Sequence, residues 1–299
     1  DAGGQVRPMS PTPILPRRFD LRQPRGQATW ATIWLLSLLM IYLGAFWPAY
    51  PVHDNATLES LLQPEFVENT GLQLSWLQST GEKQHLSYDV QTMLYLHQLR
   101  GTRAIAVQHF SLQEWGRTLM LISKYTTDLA KGEVVLALML LAALFSRFKG
   151  LSGEIAVRAN TGLVGMLLAA TLTWLSKIGA GRARPNGLFY REDLDWIPFS
   201  LENLHHSFPS GHATAAGALM MVFLFNFSRL WFLWIAAALW ICTTRVLTLN
   251  HWPTDTWMGL LIGAFSVALV SSITQSRREL PAQEAGRYQS SRETVLPVE

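Results

Sequence analysis

The stretch "WATIWLLSLLMIYLGAFW" (30–47) lies inside a run, residues 29–52, that carries no charged side chain. A helix rises about 1.5 Å per residue, so about 20 apolar residues cross the hydrocarbon core of a bilayer. The run is long enough, and it sets the class: an all-α, integral membrane protein. Five further apolar runs follow. They are "GEVVLALMLLAALF" (132–145), "ANTGLVGMLLAATLTWLS" (159–176), and residues 211–228, 230–249 and 256–276. The expected architecture is a bundle of about six transmembrane helices. An extramembrane or interfacial helical segment, 53–131, separates spans one and two.

Composition agrees. Hydrophobic residues make up 49% of the 299 and charged residues only 15%, against about 25% charged in a soluble domain. Twelve tryptophans suit the two membrane interfaces. A net charge of +3 from dispersed basic residues gives no reason to expect a nucleic acid partner. The single cysteine, Cys242, stands in an apolar run, which excludes an internal disulfide and a Cys-rich metal site. The first apolar run is long and begins near residue 30, which suits a retained anchor better than a cleaved signal.

The chain divides into three parts. Residues 1–28, with five Arg and several Pro, read as a solvated, disordered tail. Residues 29–276 form the membrane domain, and residues 277–299 a charged tail. Alternating spans place both tails, the 147–158 loop and Arg229 on one face. Their Lys and Arg make that face cytoplasmic. The opposite face receives the 178–209 loop and the 245–255 turn. It also carries Lys177, Arg182, Arg184, Arg191 and Arg245, which runs against the positive-inside pattern and needs a separate reason. "NAT" (55–57) on that face has the form of a glycosylation sequon, a pattern frequent by chance.

Three short stretches meet there, each at the end of a span: "KIGAGRARP" (177–185), "PSGH" (209–212) and "TRVLTLNHWPTD" (244–255). Lys177, Arg184 and Arg245 bring three cations to one spot, and the arginine fork matches phosphate oxygens. Ser210 and Gly211 open a helix, where free N–H groups and the dipole favour an anion. His251 and Asp255 are about one helical turn apart. A carboxylate holding one ring nitrogen leaves the other nucleophilic. His212 is a second imidazole, suited to proton transfer. Each feature alone has an ordinary reading: an interfacial histidine, a snorkelling cation, a loop before a helix. Their assembly at three same-face span ends does not. Arg182 is left between headgroup contact and solvation. His205 and His206 read as loop residues, and Phe189, Tyr190, Trp196, Phe199, Trp252 and Trp257 as interfacial anchors. Gly259 and Gly263 in "GLLIG" have a spacing that lets helices approach closely, but it is common in apolar helices.

The three stretches resemble the tripartite signature of the type 2 phosphatidic acid phosphatase superfamily, which includes lipid phosphate phosphatases and vanadium haloperoxidases. That signature is Lys-x6-Arg-Pro, Pro-Ser-Gly-His, and Ser-Arg-x5-His-x3-Asp. It is met at every position except Thr244, where the family has Ser. The resemblance covers about residues 88–275. It implies a lipid phosphatase in which His251 attacks phosphorus, Asp255 orients His251, and His212 protonates the leaving oxygen and then activates water. It further implies that Lys177, Arg184, Ser210, Gly211 and Arg245 hold the phosphoryl group, that no metal or cofactor is needed, and that the site opens at the outer membrane surface. The expected location is a bacterial inner membrane with the site on the periplasmic face. Candidate substrates are phosphatidic acid, phosphatidylglycerophosphate, undecaprenyl pyrophosphate and lipid A phosphates. The sequence gives no oligomeric state. A phosphotransferase would need the same cradle. A transporter or scaffold would place its ionisable residues mid-span, and here they gather at span ends.

Overall fold

The computed structural model describes residues 14, 16–46, 87–101, 110–128, 130–148, 153–191 and 194–293. The "NAT" sequon lies outside them. The described residues are almost entirely helical. Helix α1 (Pro24–Ile41) runs into a π-helical turn (Tyr42–Phe46). Then come α2 (Tyr88–Gly101), α3 (Phe110–Asp128), α4 (Gly132–Phe148), α5 (Gly153–Ala180), the short α6 (Pro185–Arg191), α7 (Gly211–Asn226), α8 (Trp231–Leu247) and α9 (Pro253–Glu293).

All six apolar runs are mainly helical where they are described, but they are not six equal spans. Among the described residues, four helices are long and apolar enough to cross a membrane alone: Pro24–Phe46, Gly153–Ala180, Ser228–Leu247 and Pro253–Glu279. A fifth forms only if Leu121–Asp128 joins Gly132–Phe148 across a 42° bend. Helix α7 has 16 residues, about 24 Å at the helical rise, short of a hydrocarbon core of about 30 Å. It is instead enclosed by protein, with Ala213, Ala215 and Ala218 fully buried. Non-helical backbone at membrane depth is tolerated where protein covers it, so α7 can start below the rim and leave room for a site.

Helix α9 is the axis. Of its apolar window 72% is buried, against 17–22% for the other three spans. Those three expose Leu35, Leu36, Trp174 and Phe232, a surface suited to lipid. The closest helix contact is α7 against α9. A Cβ added to Gly259 would stand 2.4 Å from the Ser210 carbonyl oxygen, and one added to Gly263 would stand 2.0 Å from the Thr214 carbonyl oxygen. Backbone touches backbone here, as the small-xxx-small spacing allows.

Both expected tails are partly structured. Pro16 begins a turn, Arg17–Phe19. The Leu21 N–H donates to Ser272 Oγ (3.1 Å), and Arg22 bridges Asp20 and Glu279, each at 2.6 Å. The N-terminal segment is thereby tied to the far end of α9. Helix α9 itself continues to Glu293, through most of the stretch read as a charged tail. Charge marks where a helix leaves lipid, not where it ends.

Candidate active site

All three motif stretches lie at one end of the bundle, and backbone hydrogen bonds tie them together. The Ser207 N–H donates to the Arg182 carbonyl (3.0 Å), Arg184 N–H to Leu204 (2.9 Å), and Ser210 N–H to Asp255 (2.9 Å). Trp252 Nε1 donates to the Ala183 carbonyl (2.7 Å). Gly181 makes the turn out of α5 at φ +59°, where a Cβ would lie 1.7 Å from the Ile197 carbonyl oxygen. Only glycine tolerates this position. The turn sends Arg182 inward and leaves Arg184 at the rim.

His251 is buried, and its Nδ1 lies 2.8 Å from the Ser207 carbonyl oxygen. A carbonyl only accepts, so Nδ1 carries the proton and Nε2 the lone pair. Asp255 Oδ2 is 3.7 Å from the same Nδ1, close enough for its charge to act but beyond hydrogen-bond reach. The expected direct Asp255–His251 hydrogen bond is therefore replaced by an indirect one. Asp255 Oδ2 accepts from the Ser207 hydroxyl (2.5 Å) and the Trp252 N–H (2.9 Å), while the Ser207 carbonyl holds the ring. Burial pushes the His251 imidazole down to about 3. Lys177 and Arg184 push the same way, and Asp255 opposes them.

Around this imidazole stand the phosphate-cradle candidates. Lys177 Nζ donates to the His206 carbonyl (2.8 Å). Arg184 Nε and Nη2 donate to the carbonyl and side-chain oxygens of Asn203 (3.0 and 2.9 Å). Burial lowers its pKa, and Asp255 raises it. Ser210 caps α7 without a side-chain capping bond, and Gly211 is the first helical residue. Arg245 is buried and reaches Thr127 Oγ1 only at 3.5 Å. Ser210 Oγ, His212 Nε2 and Arg245 Nε are buried without a hydrogen-bond partner among the described residues. Leaving such a group unpaired costs about 1–3 kcal/mol each, and a fold retains them where a ligand or a reaction uses them. Thr244, the one departure from the signature, spends its hydroxyl on the Ile241 carbonyl (2.7 Å) of its own helix.

The surroundings correct several expectations. Arg182 is neither solvated nor at a headgroup: it is 4% exposed. It donates to Asp255 Oδ1 (2.7 Å), Asp89 Oδ2 (2.8 Å) and Thr254 Oγ1 (2.8 Å). Its guanidinium carbon lies 5.0 Å from the ring centroids of both Trp196 and Trp252, within cation–π range. Trp252 is fully buried against Arg182 rather than part of an interfacial belt. Phe199 is exposed and Phe189 packs on the cluster of Leu188 and Met93. The side chain of Tyr190 lies outside the described ones. His206 Nε2 is 2.8 Å from the Ser200 carbonyl oxygen, which fixes the loop. Asp89 was missed altogether. Its sequence signal is an acidic residue in the first turn of "YDVQTMLYLHQL" (88–99), a stretch read as extramembrane or interfacial helix.

Residues 159–279 match the model of the PAP2 superfamily. Within that stretch lie all the motif residues, whereas Asp89 lies upstream. A lipid A 1-phosphatase of Rhizobium johnstonii is 36% identical over 112 residues, 38% of this chain and 46% of that protein. A lipid A 1-phosphatase of Rhizobium etli is 35% identical over 112 residues, 38% of this chain and 48% of that protein. The matched segment thus spans about half the length of these curated relatives. No solved structure matches.

Proposed function

We propose that this protein is a membrane lipid phosphatase that hydrolyses a phosphomonoester or pyrophosphate through a phosphohistidine on His251. The observation that carries it is the Nδ1–H of His251 held by the Ser207 carbonyl, together with buried polar atoms of Ser210, His212 and Arg245 that have no partner among the described residues. Nε2 attacks phosphorus, and the bond from phosphorus to the lipid oxygen breaks. That oxygen takes a proton from His212. Water then attacks the phosphoimidazole, gives a proton to His212, and releases inorganic phosphate. Lys177, Arg184, Arg245, Ser210 and the Gly211 N–H stabilise charge on the phosphoryl oxygens in both steps. Asp255, through Ser207, keeps the tautomer and balances the positive charge that the phosphorylated ring acquires.

The names of the two relatives favour a lipid A phosphate among the candidate substrates. Three cations and a helix start do not distinguish it from phosphatidic acid, phosphatidylglycerophosphate or undecaprenyl pyrophosphate. The reaction needs no metal in this scheme. In this reading the basic residues Arg147, Arg158 and Arg229 stand at cytoplasmic helix ends, which supports a site on the periplasmic side of a bacterial inner membrane. The test is phosphate release from a panel of these lipids by detergent-solubilised protein, with and without EDTA. Wild type should turn over at least one in EDTA and His251→Ala none. Equal rates from both proteins would refute the mechanism.

A further inference from the structure

We propose that Asp89 is a positioning residue of the His251 site, acting by sharing the charge of Arg182 with Asp255. The inference rests on the phosphohistidine reading above. Asp89 comes from α2, upstream of the residues that match the PAP2 superfamily, and is 2% exposed. Its Oδ2 accepts from Arg182 Nη2 at 2.8 Å, and the Thr254 hydroxyl donates to the same oxygen. The Thr254 N–H approaches Oδ1 at 3.3 Å. Thr254 Oγ1 in turn accepts from Arg182 Nη1, so the hydroxyl has a defined direction.

Among the described residues, every hydrogen-bond partner of both carboxylates donates, and for Asp255 the imidazole N–H also stands nearby. The hydrogen bonds are therefore arranged for two ionised carboxylates around one guanidinium. The enclosed group carries one net negative charge. Burial and the charge of Asp255 push the Asp89 carboxyl above the usual range, against the pull of Arg182 and Thr254. If Arg182 faced Asp255 alone, the pair would be neutral, and little field would reach the imidazole 3.7 Å away. With half of the guanidinium engaged by Asp89, Asp255 keeps charge to set against the ring. His251 turns cationic when Nε2 is phosphorylated while Nδ1 keeps its proton. The excess charge stabilises that state and is a burden in the resting one.

A purely structural Asp89, anchoring α2 to the bundle, predicts the opposite pattern in one variant. Asp89→Asn keeps the shape, removes the excess charge and leaves Arg182 paired with Asp255. We expect kcat to fall about tenfold, less than for a group touching phosphate, with KM within about twofold and the thermal midpoint equal or higher. Asp89→Glu, which keeps the charge, should retain more of kcat than Asn. The inference is overturned if Asp89→Asn turns over lipid phosphate at the wild-type rate, or if kcat falls only alongside the thermal midpoint. His251→Ala in the same assay separates the two ideas. Activity surviving there sinks the phosphohistidine reading itself, and this inference with it.

Discussion

Gly263→Ala tests whether the helix contact builds the site. The added methyl would lie 2.0 Å from the Thr214 carbonyl oxygen and 2.7 Å from the Ala218 nitrogen. Ordinary contact begins at 3.4 Å, so α7 and α9 must separate locally by about 1.4 Å. Both obstacles are backbone, and no rotamer change relieves them. Overpacking of this kind costs about 1–3 kcal/mol. The catalytic consequence is larger, because α7 carries His212 and is capped by Ser210, while the first turn of α9 holds Asp255, four residues after His251. A displacement of about 1 Å in a reacting geometry can cost about 10²-fold in rate. The assay is kcat on the best lipid phosphate beside a thermal unfolding curve in detergent. Gly179→Ala is the control, because a Cβ there meets nothing within 4 Å. The control should behave as wild type or slightly more stably. A Gly263→Ala protein with wild-type kcat and midpoint would refute the claim that this contact sets the site.

Other outcomes follow from the same geometry. Ser207→Ala removes the hydroxyl bond to Asp255 but keeps the carbonyl that holds His251. Such a bond to a charged group is worth about 1.5–3 kcal/mol, so kcat should fall by about tenfold or more with KM little changed, and an unaltered kcat would rule out coupling through Ser207. Arg245→Lys keeps the charge but loses the unpartnered Nε; kcat/KM should fall about 10²-fold. The pKa of His251 is lowered by burial to about 3, so the folded protein resists a proton that the unfolded chain accepts near 6.5. Stability at this group is therefore complete above about pH 6.5 and is lost as pH falls toward about 3. The thermal midpoint of wild type should drop over that window more steeply than that of His251→Asn, measured in matched buffers.

The class of fold was legible because a bilayer imposes a length and a polarity on each crossing, and residues 30–47 meet both. The motif residues were legible because each stretch closes a span, so spacing along the chain becomes position at one rim. Arg182 was not legible: nothing in "KIGAGRARP" says that the turn at Gly181 drives one arginine inward and leaves the next outside. Asp89 was further out of reach, since its partners lie across the fold and no local period points to them. Gly259 and Gly263 were visible as a pattern, but its weight depends on which helix lies opposite. The charge after residue 276, with Pro281 among it, marks where the last span leaves lipid, but it does not show that α9 continues to Glu293.

The central claim is that phosphate passes through His251. It is tested most directly by acid-free denaturing quench during turnover of a lipid labelled in its phosphoryl group, followed by peptide mapping under alkaline conditions. The label should appear on the peptide that contains His251, survive alkali, disappear in acid, and be absent from His251→Ala. Label on another residue, or turnover with His251→Ala in place, would contradict it.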